Sequence, residues 1–201
     1  TMIDIGANVG SITLPLAKMF NKSKIFAIEP TNYAFKKLTK NLNLNKDLKK
    51  IISLNQIFLS KENKPTKVWS SWNFHNNTYK HKQHLGSLHS IKKDSYMSLN
   101  NFINFKNIKK VDFIKLDVDG HELDVLKSGE KFLNNKKPVI FIEIVPYLYP
   151  EFGYKCSELI TYIKKLKYSF YNEDLKKIKN INDYVNKITF GGSKNLYLIK
   201  S

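Results

Sequence analysis

The sequence predicts an α/β protein built on a doubly wound, mostly parallel sheet, with an antiparallel edge near the C-terminus. Three observations lead there: short apolar runs alternate with stretches of helical periodicity, the first run enters a glycine turn directly, and the conspicuous carboxylates follow the runs. Ligands of such sheets bind outside the carboxyl ends of the strands, so the residues just after each run are the functional candidates.

Residues 1–10, TMIDIGANVG, form a short apolar strand that runs into Asp4-Ile5-Gly6-Ala7-Asn8-Val9-Gly10. Gly6 and Gly10 allow a sharp turn and a close approach to a ligand. The helix that follows has an apolar stripe of Val9, Ile12, Leu16 and Met19, with Pro15 expected to kink it or shorten its first turns. Its N-terminus offers unpaired N–H groups and partial positive charge, the usual seat of a nucleotide-like ligand.

Residues 24–28 read as a second buried strand, ending in Glu29-Pro30. Thr31 then stands as N-cap of a helix with apolar positions Phe35, Leu38 and Leu42. Residues 51–54 and 57–59 supply further extended pieces, and residues 111–116 a mostly buried central strand. A helix starting at Glu122 carries Leu123, Leu126 and Leu133; a strand over 139–144 follows, then a helix with Leu159, Ile160, Ile163 and Leu166. Residues 168–171 and 195–200 read as two closing strands, a hairpin pair at the sheet edge. The residues placed just after strands are Asp4 to Gly10, Glu29, Asn55, Asp117 to Glu122, and Glu143 to Pro146.

The turn departs from the dinucleotide fingerprint G-x-G-x-x-G, because Asp4 and Asn8 occupy glycine places. An acidic group there repels a diphosphate and suits a nucleoside ligand that carries a cationic amine, such as S-adenosylmethionine. Glu29 can accept hydrogen bonds from both ribose hydroxyls, with Pro30 stiffening the exit turn.

At 201 residues and 42% hydrophobic content the chain is read as one domain, residues 1–201. Its first strand begins at once, which reads as a domain lacking its N-terminal segment. No run is long and apolar enough to span a bilayer, and no signal-peptide pattern opens the chain. Cys156 is the single cysteine, which excludes an internal disulfide and a cysteine-based zinc site and makes a reducing cytoplasm the simplest compartment. The formal charge is +17, yet every basic residue other than histidine is lysine. Without arginine forks for phosphate and guanine, the excess is read as compositional bias, with nonspecific attraction to anions as its consequence.

Residues 69–93 break the alternation. They carry Trp69, Trp72, Phe74, Tyr79 and four of the five histidines, His75, His81, His84 and His89, at no zinc-binding spacing. This stretch is read as an acceptor-binding lid, and no metal site is expected.

Across almost its whole length the chain resembles the FkbM family of S-adenosylmethionine-dependent methyltransferases. The resemblance rests on Ile3 to Gly10, Glu29-Pro30, Gly86-Ser87-Leu88 and, above all, Asp112 to Glu122, which is similar to the family's K-x-D-x-E-G-x-E signature. Asp119 replaces the signature's first Glu, and Asn100 stands where the family commonly has Asp. The resemblance implies a Rossmann-like class I methyltransferase fold and methylation of hydroxyls on polyketides, sugars and other small or glycan acceptors. By position it implies donor contacts from Asp4, Gly6, Asn8, Gly10 and Glu29, with Asn55 or Gln56 at the adenine edge.

Transfer from a sulfonium needs alignment of acceptor and methyl, and removal of a hydroxyl proton. Asp117 is the candidate to orient the acceptor or take its proton, His121 is a second candidate base, and Lys115 and Glu122 hold the local charge balance. Glu143 is read as either an acceptor contact or a loop hydrogen-bond partner. Two other readings share the fold: an RNA methyltransferase, which the lysine excess would serve, and a non-catalytic partner module that has lost its ligand.

Overall fold

In the computed structural model, which describes residues 1–62, 67–71, 86–90 and 95–200, seven strands form the main sheet. They are β1 (Met2–Ile5), β2 (Ile25–Ile28), β3 (Ile52–Asn55), β8 (Phe113–Leu116), β9 (Val139–Ile144), β10 (Tyr168–Tyr171) and β11 (Lys194–Lys200), in the order β10-β11-β9-β8-β1-β2-β3. The five strands from β3 to β9 pair in parallel, and β11 lies antiparallel to both β9 and β10.

The strand order reverses between β1 and β8: the chain steps outward from β1 to β3 on one side and from β8 to β9 on the other. Register fixes what meets there. Ile5 pairs with Ile28 of β2 and with Leu116 of β8, so Gly6, Glu29 and Asp117 leave the sheet at one level, at the switch point where such folds bind ligands.

Burial on both faces makes the sheet doubly wound. Within fully buried β2, Ile25 and Ala27 point into a core shared with Ala17, Leu38 and Leu42, which belong to helices α1 (Thr13–Met19) and α2 (Asn32–Leu44). Phe26 and Ile28 alternate onto the other face, into the larger core built with α3 (Leu99–Phe105), α4 (Glu122–Ser128), α5 (Glu130–Lys136) and α6 (Cys156–Lys165). A short helix α7 (Ile181–Asn186), opened by the Asn180 side chain accepting from Asp183 N, precedes β11.

Smaller pieces lie over the carboxyl end of the sheet. Strand β4 (Phe58–Leu59) pairs in parallel with β7 (Tyr96–Met97), and β5 (Lys67–Ser71) forms an antiparallel ribbon with β6 (Gly86–Ser90). Residues 69–71 and 86–90 of the expected lid therefore belong to strands. Trp72, Phe74, His75, Tyr79, His81 and His84 lie outside the described residues.

Local details differ from the sequence pattern for identifiable reasons. Pro15 sits in the first turn of α1, where a missing N–H leaves no bond unmade, and the helix starts only at Thr13. Its buried positions are Thr13 and Ala17, while Ile12 and Met19 are 46% and 73% exposed. The helix expected from Glu122 through Leu133 is two helices, broken at Gly129, whose N–H caps α4 while its position opens α5. Strand β11 does not follow β10 as a simple hairpin; residues 172–193 intervene, and β11 inserts between β10 and β9. Among the described residues, no helix is long and apolar enough to cross a membrane.

Candidate active site

The turn after β1 is built from backbone. Gly6 N and Ala7 N both donate to Ile28 O, at 3.0 and 2.9 Å, which folds the turn over the end of β2. Gly6 has φ +83°, and a Cβ there would fall 1.7 Å from Asp117 O, so both conformation and space demand glycine. Gly10, at φ +91°, lets α2 approach, since its Cβ would lie 2.7 Å from Leu38 Cδ1. Asn8, at φ +49°, occupies the left-handed region that asparagine tolerates.

Beneath this turn lies a buried charge pair. Asp4 is 1% exposed and accepts from Thr13 Oγ1, while Lys115 Nζ stands 3.4 Å from Asp4 Oδ1. The same ammonium lies 3.2 Å from Gly6 O and 3.0 Å from Asp117 Oδ2, so each of its three donors faces an oxygen. Burial works against the Lys115 charge, but Asp4 and Asp117 outweigh it and hold its pKa above the ordinary lysine value.

Glu29 is buried at the end of β2. Its Oε1 accepts from Thr31 N at 2.8 Å and from Thr31 Oγ1, and its Oε2 accepts from Asn8 N at 3.0 Å. Thr31 thus holds the N-cap position of α2, but its hydroxyl orients Glu29 instead of capping the helix. These bonds fill three of the roughly four acceptor places of a carboxylate. Burial raises the pKa of Glu29 despite them.

A cavity of about 320 Å³ opens at the carboxyl ends of β1, β2, β8 and β9, within the size range of small-molecule sites. Gly6, Asn8, Glu29, Lys115, Asp117 and His121 line it, together with Asp119 and Glu143. Asp4, Gly10 and Asn55 do not. Asp4 supports the turn from below, Gly10 packs on Leu38, and Asn55 donates to Ser53 O and Ala27 O within the sheet. The apolar walls, including Phe58, Leu59, Val68 and Trp69, come from β4 and β5. Sequence reasoning missed most of this wall, because two-residue strands and an isolated ribbon leave no periodic signal.

On the far side, Asp117, Asp119 and Glu143 each place an oxygen within 4.8 Å of the others. Three acidic groups alone define no ion site, and none is assigned. Their repulsion is evident at Glu143, whose pKa burial and then Asp117 push up to about 8, opposed by a hydrogen bond with the Ser193 side chain.

His121 is buried, with Nε2 3.1 Å from Lys67 O. A carbonyl only accepts, so Nε2 carries the proton and the ring ties β5 to the site. Its ring packs 5.1 Å from Phe58 and 4.1 Å from Phe152, and burial holds its pKa below the usual histidine value. Glu122, fully buried, shapes the loop before α4 by accepting at Oε1 from Val118 N (3.1 Å) and Gly120 N (3.3 Å); burial pushes its pKa up to about 8.

A doubly wound sheet with the strand order above and an acidic crevice at its switch point defines a Rossmann-like protein of the class I methyltransferase type. The model of the methyltransferase FkbM domain matches residues 4–170, and the chain belongs to that family. Among solved structures, it is similar to the methyltransferase FkbM from Methylobacillus flagellatus KT, with 16% identity and a TM-score of 0.59 over 98% of this chain and 43% of that one. The chain therefore spans less than half the length of that structure. It is also similar to the precorrin-6y C5,15-methyltransferase from Geobacter metallireducens GS-15 (12% identity, TM-score 0.54, 100% of this chain and 79% of that one). A SAM-dependent methyltransferase from Aquifex aeolicus gives 15% identity and a TM-score of 0.53, over 100% of this chain and 81% of that one. At these identities the structures speak for the fold. No curated protein sequence matches the chain.

Proposed function

We propose that the chain binds S-adenosylmethionine in this crevice and methylates a hydroxyl on a sugar, glycan, lipid or other small-molecule acceptor. One observation carries the reading: in a chain of formal charge +17, the cavity is lined by four carboxylates, Glu29, Asp117, Asp119 and Glu143, against one lysine. Such a lining suits a cationic ligand and repels a diphosphate. The residues fit the donor in a second respect. Asn8 Oδ1, in the cavity wall, is buried with no hydrogen-bond partner among the described residues. With the remaining acceptor place on Glu29 it suits a ligand rich in hydroxyl and amino donors.

Bound there, S-adenosylmethionine supplies a methyl group already activated on a cationic sulfur. Glu29 and Asn8 hold its polar end, Gly6 allows close approach, and Lys115 fixes Asp117 at the acceptor side. Asp117 orients the acceptor hydroxyl, and the walls from β4 and β5 keep water from the transfer.

Calorimetric titration with S-adenosylmethionine tests the reading. Binding is expected, and its absence would overturn the enzyme hypothesis in favour of a non-catalytic module. Binding of NAD in its place would revive the dinucleotide reading. Salt-tolerant methyl incorporation into RNA would move the acceptor from a small hydroxyl compound to a nucleic acid.

A further inference from the structure

We propose that Glu143 is the catalytic residue that takes the proton of the acceptor hydroxyl, while Asp117 orients that hydroxyl. This assignment rests on the methyl-transfer reading above. Both side chains line the cavity, and their oxygens lie within 4.8 Å of each other, so one hydroxyl can reach both.

Their partners separate the two roles. Asp117 Oδ2 is 3.0 Å from the Lys115 ammonium, which is itself buried and held charged by Asp4. That ion pair holds the Asp117 carboxylate in place. Glu143, near the end of β9, is buried beside like charges, Asp117 at the end of β8 and Asp119 in the loop before α4, and only a hydrogen bond with the Ser193 side chain ahead of β11 opposes them. Its register partner on β11 is the uncharged Asn195. With burial and like charges around it, Glu143 binds a proton more tightly than an ordinary carboxylate. A group poised near neutrality is the better general base there.

The step balances without a further reactant. As the acceptor oxygen bonds the methyl carbon, its O–H bond breaks and the proton forms an O–H bond on Glu143. The sulfur of the donor keeps the electron pair of the broken carbon–sulfur bond. Asp117, whose side chain is 39% exposed, then offers the proton a route to water.

Two measurements test the assignment. Carbon-13 NMR of protein labelled at the glutamate carboxyl, with Glu143 assigned by its loss in Glu143→Gln, is expected to show titration near pH 8 that moves down in Asp117→Asn. Titration below about pH 6 would overturn the assignment. In parallel, labelled methyl transfer is followed to a methyl glycoside and to 4-nitrophenol at a pH where the phenol is already ionised and needs no base. With the donor at saturation, Glu143→Gln is expected to lose about 100-fold or more on the glycoside and to stay within about threefold on the phenolate. Equal loss on both probes at saturating donor would overturn the assignment alone. Failure of the wild-type protein to bind the donor would instead remove the reading on which it stands.

Discussion

Gly6 and Asp117 meet through backbone alone: a methyl group on Gly6 would fall 1.7 Å from the Asp117 carbonyl oxygen. The turn after β1 and the loop after β8 are therefore one unit, and neither can shift without the other. Gly6→Ala adds both that overlap and a strained φ of +83°. It is expected to destabilise the fold by about 3 kcal/mol or more, measured by urea denaturation. A loss under about 1 kcal/mol would mean that the two loops move apart freely.

Glu29 is held by Thr31 and Asn8 at the cavity wall, so its truncation removes a placed carboxylate. Glu29→Ala is expected to weaken S-adenosylmethionine binding by about 10- to 100-fold, the value of one or two charged hydrogen bonds. Isothermal titration reads this directly, and unchanged affinity would remove Glu29 from the donor site.

Asp117→Ala is expected to leave donor affinity within about threefold and to abolish transfer to a hydroxyl. Both quantities come from one preparation, by calorimetry and by labelled methyl incorporation. If affinity falls as far as it does in Glu29→Ala, Asp117 belongs to the donor's seat and not to the acceptor's.

Lys115 stands between two carboxylates, one of them buried. Lys115→Met strands the Asp4 charge and is expected to cost about 3–5 kcal/mol. Adding Asp4→Asn is expected to recover at least about half of it, because the stranded charge is gone. A double-mutant cycle in urea checks the coupling, and simple additivity would refute it.

Glu122 gives a pH signature. Its pKa rises from 4.5 to about 8 on burial, so between those values the native state binds more protons than the unfolded chain. Stability is then greatest below about pH 4.5 as far as this group is concerned, and falls as pH rises toward 8. Glu122→Gln keeps an oxygen for Val118 N and Gly120 N and is expected to flatten that fall. Melting temperatures from pH 5 to 9 decide, and an unaltered slope would assign the effect elsewhere.

The alternation of apolar runs made the parallel sheet legible, because each run is buried on both faces and carries its own boundary residues. Strand β9 falls on the expected residues 139–144, and the parallel pairing of β1, β2 and β8 brings Gly6, Glu29 and Asp117 to one level. Other features depend on contacts between distant residues and leave no local trace. The break at Gly129 arises within an otherwise continuous helical stripe. Asp4 is read from sequence as a ligand contact, yet its surroundings, Thr13 and Lys115, place it beneath the turn. That distinction required knowing that β8 lies beside β1. The wall from Phe58 was equally hidden, since a two-residue strand buries side chains without periodicity, whereas Trp69 belongs to the stretch read as a lid.

Strand β11 enters between β9 and β10, with Asn195 opposite Glu143. Until residues 194–200 have left the ribosome, the edge of β9 that carries Glu143 has no neighbour on that side and β10 has no strand to pair with. The nascent chain then holds an open sheet edge from the emergence of β9 to that of β11, a period in which unpaired strands invite aggregation. The sheet edge beside Glu143 is thus completed by a segment remote from it in sequence.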